Sequence, residues 1–316
     1  MAIIRVIIVY MSKILVTGGA GFIGSTLVDK LLDEGHQVVV IDDLSSGCAK
    51  YLNKSAKFYQ MDICSPEIAK IFVEQKPEYV FHLAAQIDVR SSMADPLRDR
   101  LVNVQGGLNI LEQARLSGVK KIVFSSTGGA VYGEADEIPT TESFPPYPLS
   151  FYGIHKLTFE KYLNLYFRVY GLDYTTLRFA NVYGPRQYKG GEAGVVAIFV
   201  DNAVKGLKSV QYGDGQQTRD FVYVDDVVRA LVTAKDITCR GEINIGTGQE
   251  VNLLDVRQAI EKAMGSALDV SEEPAKPGEQ RRSCLSAQRA RTVLNWEPKT
   301  DLATGIIKTI AWAKQQ

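Results

Sequence analysis

The turn Thr17-Gly18-Gly19-Ala20-Gly21-Phe22-Ile23-Gly24 constrains this chain more than any other stretch. It follows the apolar β-branched run Ile14–Val16 and opens the helical pattern Phe22–Glu34. Glycines at 18, 21 and 24 permit a tight turn, close backbone approach to a pyrophosphate and close helix–strand packing. The helix start at Phe22 and Ile23 adds unpaired N–H groups and the positive end of the helix dipole. A glycine turn set between a strand and a helix at this spacing predicts a dinucleotide site.

The first half of the chain keeps the same alternation. Val38–Ile41, Tyr79–Leu83 and Lys121–Ser125 read as strands, with Pro66–Gln75 and Leu101–Ser117 as helices. Near-continuous apolar strands separated by helices predict α/β with a doubly wound parallel sheet of Rossmann type. Thr175–Phe179 supplies a further strand. Beyond it, glycines at 190, 191, 194, 206, 213 and 215 loosen the pattern around a helix at Val195–Lys205 and a strand at Ser209–Tyr212. Val222–Lys235 and Glu242–Ile245 read as a helix and strand returning to the main sheet. The expected division is a dinucleotide-binding domain over 11–182, rejoined by 225–246. A smaller, discontinuous C-terminal substrate-binding lobe is expected from 183–224 and 247–316.

Lys+Arg and Asp+Glu number 36 each, so bulk charge makes no case for nucleic acid or an anionic membrane. Cys48, Cys64, Cys239 and Cys284 are scattered, with no histidine at ligand spacing, which predicts neither disulfides nor a metal site. Met1–Tyr10 is apolar but too short to span a bilayer. It reads as a start-site extension before Met11 or as a poorly packed extra strand, and cytoplasm is the default location.

The second strand ends in Asp42-Asp43, 18 residues past Gly24. A carboxylate there accepts hydrogen bonds from an adenosine ribose and repels a 2′-phosphate, which favours NAD over NADP. Asp62-Ile63 follows the next strand, where it can bracket the adenine. In His82-Leu83-Ala84-Ala85 a strand ends in small residues, as backbone lying close to a cofactor requires.

Tyr152-Gly153-Ile154-His155-Lys156 sets a phenol and an ammonium four residues apart in the helical pattern Phe151–Tyr170. Residues at that spacing stack on one helix face, so both can reach one pocket. A nearby cation favours phenolate and draws a phenol pKa of about 10 toward the range of a working general base.

These stretches, with Ser125-Ser126-Thr127, Asn181-Val182-Tyr183-Gly184-Pro185-Arg186 and Arg219-Asp220-Phe221-Val222-Tyr223-Val224-Asp225-Asp226, resemble the NAD-dependent epimerase/dehydratase family of extended short-chain dehydrogenases. The likeness runs from Met11 almost to the end and is nearest to the UDP-glucose 4-epimerases. It implies bound NAD, a UDP-sugar substrate and a triad of Thr127, Tyr152 and Lys156. Lys156 would hold the nicotinamide ribose. Tyr152 as phenolate would take the sugar 4-OH proton, and Thr127, with Ser126 behind it, would bond the same oxygen. The loop after the strand is one residue longer than usual. Counting from the strand selects Thr127, while counting back from Val131 selects Gly128, which has no hydroxyl.

The resemblance further implies Gln86, Ser126, Asn181 and Arg219 on the substrate side and Asn103 on the cofactor side. Lys276 stands where the family has Arg for the diphosphate, so either Lys276 or one of Arg281 and Arg282 fills that role. Ser283 falls where a small residue goes with tolerance of N-acetyl sugars. Related 4,6-dehydratases carry Asp-Glu after the hydroxyl residue, and decarboxylases carry Glu. Gly128-Gly129 stand there instead, which favours epimerisation. A uronate 4-epimerase, a dehydratase or a reductase of the same scaffold, and a non-catalytic dinucleotide-binding protein, are the alternatives. Family members commonly dimerise through two long helices per subunit, so a homodimer is expected from Leu101–Ser117 and Phe151–Tyr170.

Overall fold

The computed structural model describes residues 11–187, 194–275 and 280–316. The expected extension over 1–10 and the cation Lys276 lie outside the described residues.

The main sheet contains β1 (Lys13–Thr17), β2 (Gln37–Asp42), β3 (Lys57–Gln60), β4 (Tyr79–His82), β5 (Lys121–Thr127), β6 (Asp173–Phe179) and β11 (Glu242–Ile245). All pair in parallel, in the order β11-β6-β5-β4-β1-β2-β3. The chain winds outward from β1 through β2 and β3, then returns to β4 and winds the other way. The crevice between the carboxyl ends of β1 and β4 is therefore the topological switch point, where open α/β sheets bind ligands. Thr17 and His82 are register partners at that edge.

Strand alternation divides the core between the two faces. Ile14 and Val16 pack with α1 (Phe22–Asp33), whereas Leu15 joins the cluster under α2 (Ile68–Gln75). The second face is completed by α5 (Gly107–Leu116) and α7 (Phe151–Tyr170), with α3 (Val89–Ala94) and α4 (Pro96–Arg100) packed against α7. A four-residue helix, α6 (Gly128–Val131), caps the end of β5.

Small sheets carry the rest. β7 (Asn181–Tyr183) pairs with β10 (Phe221–Tyr223), and β8 (Ser209–Tyr212) with β13 (Val270–Glu273). β9 (Thr218–Arg219) lies between β12 (Val251–Asn252) and β14 (Arg282–Ser283). They are backed by α8 (Val195–Lys205), α9 (Val224–Asp236), α10 (Leu253–Met264), α11 (Gln288–Leu294) and α12 (Leu302–Ala313). One continuous apolar cluster joins Ile14 and Leu27 to Val196, Val256, Trp296 and Ile310. The small sheets and their helices are thus packed onto the main sheet through a shared core.

Among the helix boundaries that differ from expectation, two have a clear local cause. The helix expected from Leu101 begins at Pro96, because Asp95 caps it by accepting the Arg98 N–H and proline suits the first turn. It widens into a π-helical segment at Leu101–Gly106 before α5. The helix expected from Val222 starts at Val224, because Phe221–Tyr223 pairs with β7 as a strand.

Candidate active site

At the switch point, Thr17 Oγ1 lies 2.8 Å from His82 Nδ1 and accepts the N–H groups of Leu83 and Ala84 at 3.2 Å. This binds the glycine turn to the segment after β4. A Cβ on Gly18 would fall 2.7 Å from the Ala84 nitrogen, and one on Gly24 would fall 2.0 Å from the Gly18 carbonyl oxygen. Side chains are therefore excluded at both positions by backbone. Gly21 caps α1 without a side-chain hydrogen bond, and the first turn from Phe22 and Ile23 holds no acidic residue. The helix end is left open to an anion, as a pyrophosphate site needs.

Asp42 ends β2 beside this turn. Its carboxylate accepts the N–H groups of Ala20 and Leu44, both at 2.9 Å, and burial pushes its pKa up. Asp43 is exposed and accepts the Ser45 N–H at 2.9 Å. Asp62 forms the corresponding turn with the Cys64 N–H at 2.8 Å, and Ile63 is buried next to Gly106. The glycine cradle, the open helix end and the Asp42 carboxylate together fit a dinucleotide of the NAD type.

Thr127 is the last residue of β5, and its hydroxyl lies on the Tyr152 side, where it draws the phenol pKa down. The Thr127 oxygen also accepts the Ala130 N–H at 3.2 Å, which starts α6. Gly128 instead turns to Leu285. Tyr152 sits in the first turn of α7. Ser150 caps that helix by accepting the Gly153 N–H at 3.1 Å, and the buried Ser92 hydroxyl accepts the Tyr152 N–H at 3.2 Å.

Lys156 lies one turn on, nearly fully buried. It donates to the Ser125 carbonyl at 2.9 Å, with its ammonium 4.7 Å from the Phe124 ring and 5.9 Å from the Tyr152 ring. Desolvation pushes its pKa down to about 8, against the opposing pull of Asp99 and Glu160. The expectation that Lys156 depresses the phenol pKa is not met in the protein alone. Burial and the Asp99 charge push the Tyr152 pKa up, with only the Thr127 hydroxyl acting against them. His82, pushed down to about 3 by burial and then by Lys156, is neutral.

Ser126 requires a correction. Its hydroxyl donates to Glu160 Oε1 at 2.6 Å rather than facing the substrate pocket. Glu160 in turn receives Arg178 Nε at 3.0 Å and Nη2 at 2.6 Å. Gln86 and Asn103 bond each other: the Gln86 N–H donates to Asn103 Oδ1 at 3.0 Å, and Asn103 Nδ2 donates to the Gln86 carbonyl at 2.9 Å.

On the other wall, Arg219 of β9 is the register partner of Ser283 on β14. A Cβ on Gly129 would lie 4.0 Å from both Ser283 Oγ and Thr127 Oγ1, so this glycine looks across open space toward both hydroxyls. Asn181 starts β7, its N–H bonded to the Asp220 carbonyl at 2.8 Å. The Asp220 carboxylate, nearly fully buried, gathers the N–H groups of Thr247, Gly248 and Leu285 beneath this wall. Arg281 forks onto Asp214, with both contacts at 2.9 Å, and Arg282 forks onto Glu250. Both alternative diphosphate cations thus face carboxylates. Among the described residues, no acidic, cysteine and histidine cluster could hold a metal, and no helix is long and apolar enough to cross a membrane.

The family model for the NAD dependent epimerase/dehydratase family matches residues 14–246. The chain belongs to this family. The match spans the sheet from β1 to the end of β11, and NAD is the cofactor of the family that the glycine cradle fits. The chain is 46% identical to the UDP-glucose 4-epimerase of Mycolicibacterium smegmatis over 96% of its length and 99% of that protein. It is similar in structure to a UDP-glucose 4-epimerase from Thermotoga maritima solved with UDP-glucose, with a TM-score of 0.94, 46% identity and coverage of 96% and 99%. The enzyme of that name from Thermus thermophilus, in complex with NAD, gives a TM-score of 0.91 at 42% identity, with coverage of 95% and 98%.

Within the family fold, sequence reasoning missed Asp99, Glu160, Arg178 and Asp220. Each is a charged residue almost wholly buried, and their partners lie far away in sequence. Glu160 alone left a local trace, as a charge on the buried face of α7 four residues after Lys156.

Proposed function

We propose that the protein is a UDP-hexose 4-epimerase that interconverts UDP-glucose and UDP-galactose. The observation that carries this reading is the Thr127 hydroxyl, the Tyr152 phenol and the buried Lys156 ammonium gathered beside a side-chain-free Gly128-Gly129. Tyr152 accepts the sugar 4-hydroxyl proton and returns it after the ring has presented its other face, inverting C4. Thr127 bonds the same oxygen and keeps it aligned with the phenol. Gly18, Gly21, Gly24 and the start of α1 hold the pyrophosphate of NAD, Asp42 its adenosine ribose, and Asp62, Ile63, Leu83, Ala84 and Ala85 line its path. Lys156 holds its nicotinamide half, and Asn103, bonded to Gln86 and Asp99, supports the cofactor side from behind. NAD, when bound, supplies the hydride acceptor and donor that the side chains lack.

No carboxyl group follows Thr127, so the site has no acid or base for eliminating water or assisting decarboxylation. This favours epimerisation over the other reactions of the scaffold. Asn181 and Arg219 bind the UDP diphosphate, Gln86 the sugar, and Lys276 adds charge. Ser283, small and close to Gly129, leaves room for an N-acetyl group at C2. The residues 183–224 and 247–316 form the nucleotide-sugar lobe.

The enzyme works as a homodimer in the cytoplasm. Leu97, Leu101 and Leu116 on one helix and Ile154, Leu165 and Val169 on the neighbouring α7 expose an apolar surface fit for a second copy. Sedimentation equilibrium tests this: a monomer at micromolar concentration overturns it.

The test of function is direct. Purified protein without added cofactor is incubated with UDP-galactose or UDP-N-acetylgalactosamine, and the anomeric protons are followed by NMR. Appearance of the gluco epimers supports the reading, and the rate ratio reports on Ser283. Failure to convert either sugar, even with NAD supplied, removes it.

A further inference from the structure

Asp99 ends up at the centre of the site's supporting bonds, although nothing in its own stretch of sequence singles it out. Its side chain is fully enclosed. Oδ1 lies 2.5 Å from His155 Nδ1, on the turn of α7 between Tyr152 and Lys156. Oδ2 accepts Gln86 Nε2 at 2.9 Å and Asn103 Nδ2 at 3.0 Å. One carboxylate therefore ties three segments together: the loop after β4, the π-helical turn that contains Asn103, and the first turns of α7. A π-helical turn is uncommon and is found mostly near functional sites, and here it starts two residues after Asp99.

We propose that Asp99, acting through His155, Gln86 and Asn103, is a positioning residue that holds the Tyr152 and Lys156 face of α7 in register with the segment after β4. This rests on the reading of Tyr152 as the acid–base group. The phenolate and the Asp99 carboxylate carry like charge in a buried setting, so Asp99 favours the protonated phenol. The same charge favours the protonated ammonium of Lys156, together with Glu160. The groups facing Asp99 are His155, Tyr152 and Lys156 on α7, with Gln86 and Asn103 opposite. Arg98 and Asp95 line the open cleft beside it. By holding the phenol's proton until substrate and cofactor are both seated, Asp99 would keep Tyr152 from acting as a base in the unfilled site.

The test uses Asp99→Asn, which keeps the shape and removes the charge, on the full-length protein as purified. Tyrosines labelled with 13C at Cζ are titrated by NMR, and Tyr152→Phe identifies the Tyr152 signal. The expected result is a Tyr152 midpoint lower by about one unit. The acid limb of the kcat/KM profile should move by the same amount, with kcat falling about tenfold and KM little changed. An unchanged midpoint and an unchanged profile in a folded variant overturn the proposal. If Asp99→Asn does not fold, His155 decides. His155→Asn keeps a donor toward Asp99 and should preserve kcat, while His155→Ala should lose it. Equal kcat in those two variants overturns the positioning role. The phenol titration needs no turnover, so a wild-type protein that fails to convert UDP-galactose would strike the functional reading without deciding the Asp99 titration.

Discussion

Gly128 and Leu285 meet so closely that a Cβ on the glycine would fall 2.4 Å from Leu285 Cδ1. Leu285 is buried and its N–H is fixed on Asp220 Oδ2 at 3.2 Å, so it has little freedom to retreat. The decarboxylase-type residue therefore cannot be written in by substitution. Gly128→Glu should lose about 1–3 kcal/mol in urea melts through overpacking. It should release no carbon dioxide from UDP-glucuronate. By contrast, Gly129→Ala meets nothing nearer than 4.0 Å and should stay within about 0.5 kcal/mol of the parent.

Gly24→Ala sets a methyl group against backbone rather than a flexible side chain, 2.0 Å from the Gly18 oxygen. The turn must open to admit it. The variant should be purified without bound dinucleotide, as read by absorbance after acid release. It should also lose at least about 1–3 kcal/mol of stability.

Tyr152→Phe removes the phenol hydroxyl and leaves the ring, the Ser92 contact to the backbone and the Lys156 environment in place. Turnover should fall by about 10²–10⁴. Bound NAD and the melting temperature should match the parent. Near-normal turnover would remove Tyr152 from the mechanism.

Lys156 carries a pH signature. Its folded pKa of about 8 lies below the ordinary lysine value of 10.5, so between those values the unfolded chain binds more protons than the folded one. The burial cost is fully present below pH 8 and is relieved as pH rises through the window. Lys156→Met should then stabilise the cofactor-free protein at pH 7 by up to about 3 kcal/mol. The gain should shrink toward zero near pH 10.5. Paired urea melts at about pH 7 and about pH 10 read the difference, and a gain that does not vary with pH would contradict the assignment.

What the sequence made legible was local. The glycine turn and the Tyr152–Lys156 pair are complete within a few residues, because a turn conformation and a helix face are short-range properties. The Asp95 cap and Pro96 that start the helix ahead of Leu101 are equally short-range features. His155 stood in plain view inside the pair, yet its partner Asp99 lies 56 residues away. Ser126 was assigned by its place beside Thr127. The pleat turns it to the other face, where Glu160 waits 34 residues on. Buried polar pairs of this kind are created by topology, and no periodicity announces them.

The apolar cluster that runs from Ile14 to Ile310 has a thermodynamic consequence. Two regions that share one core cannot melt one at a time, so the main sheet and the small sheets with their helices should open as a single cooperative unit. Ligand linkage then acts at a distance: a dinucleotide bound at the end of β1 should slow amide hydrogen exchange in α12, which it never touches.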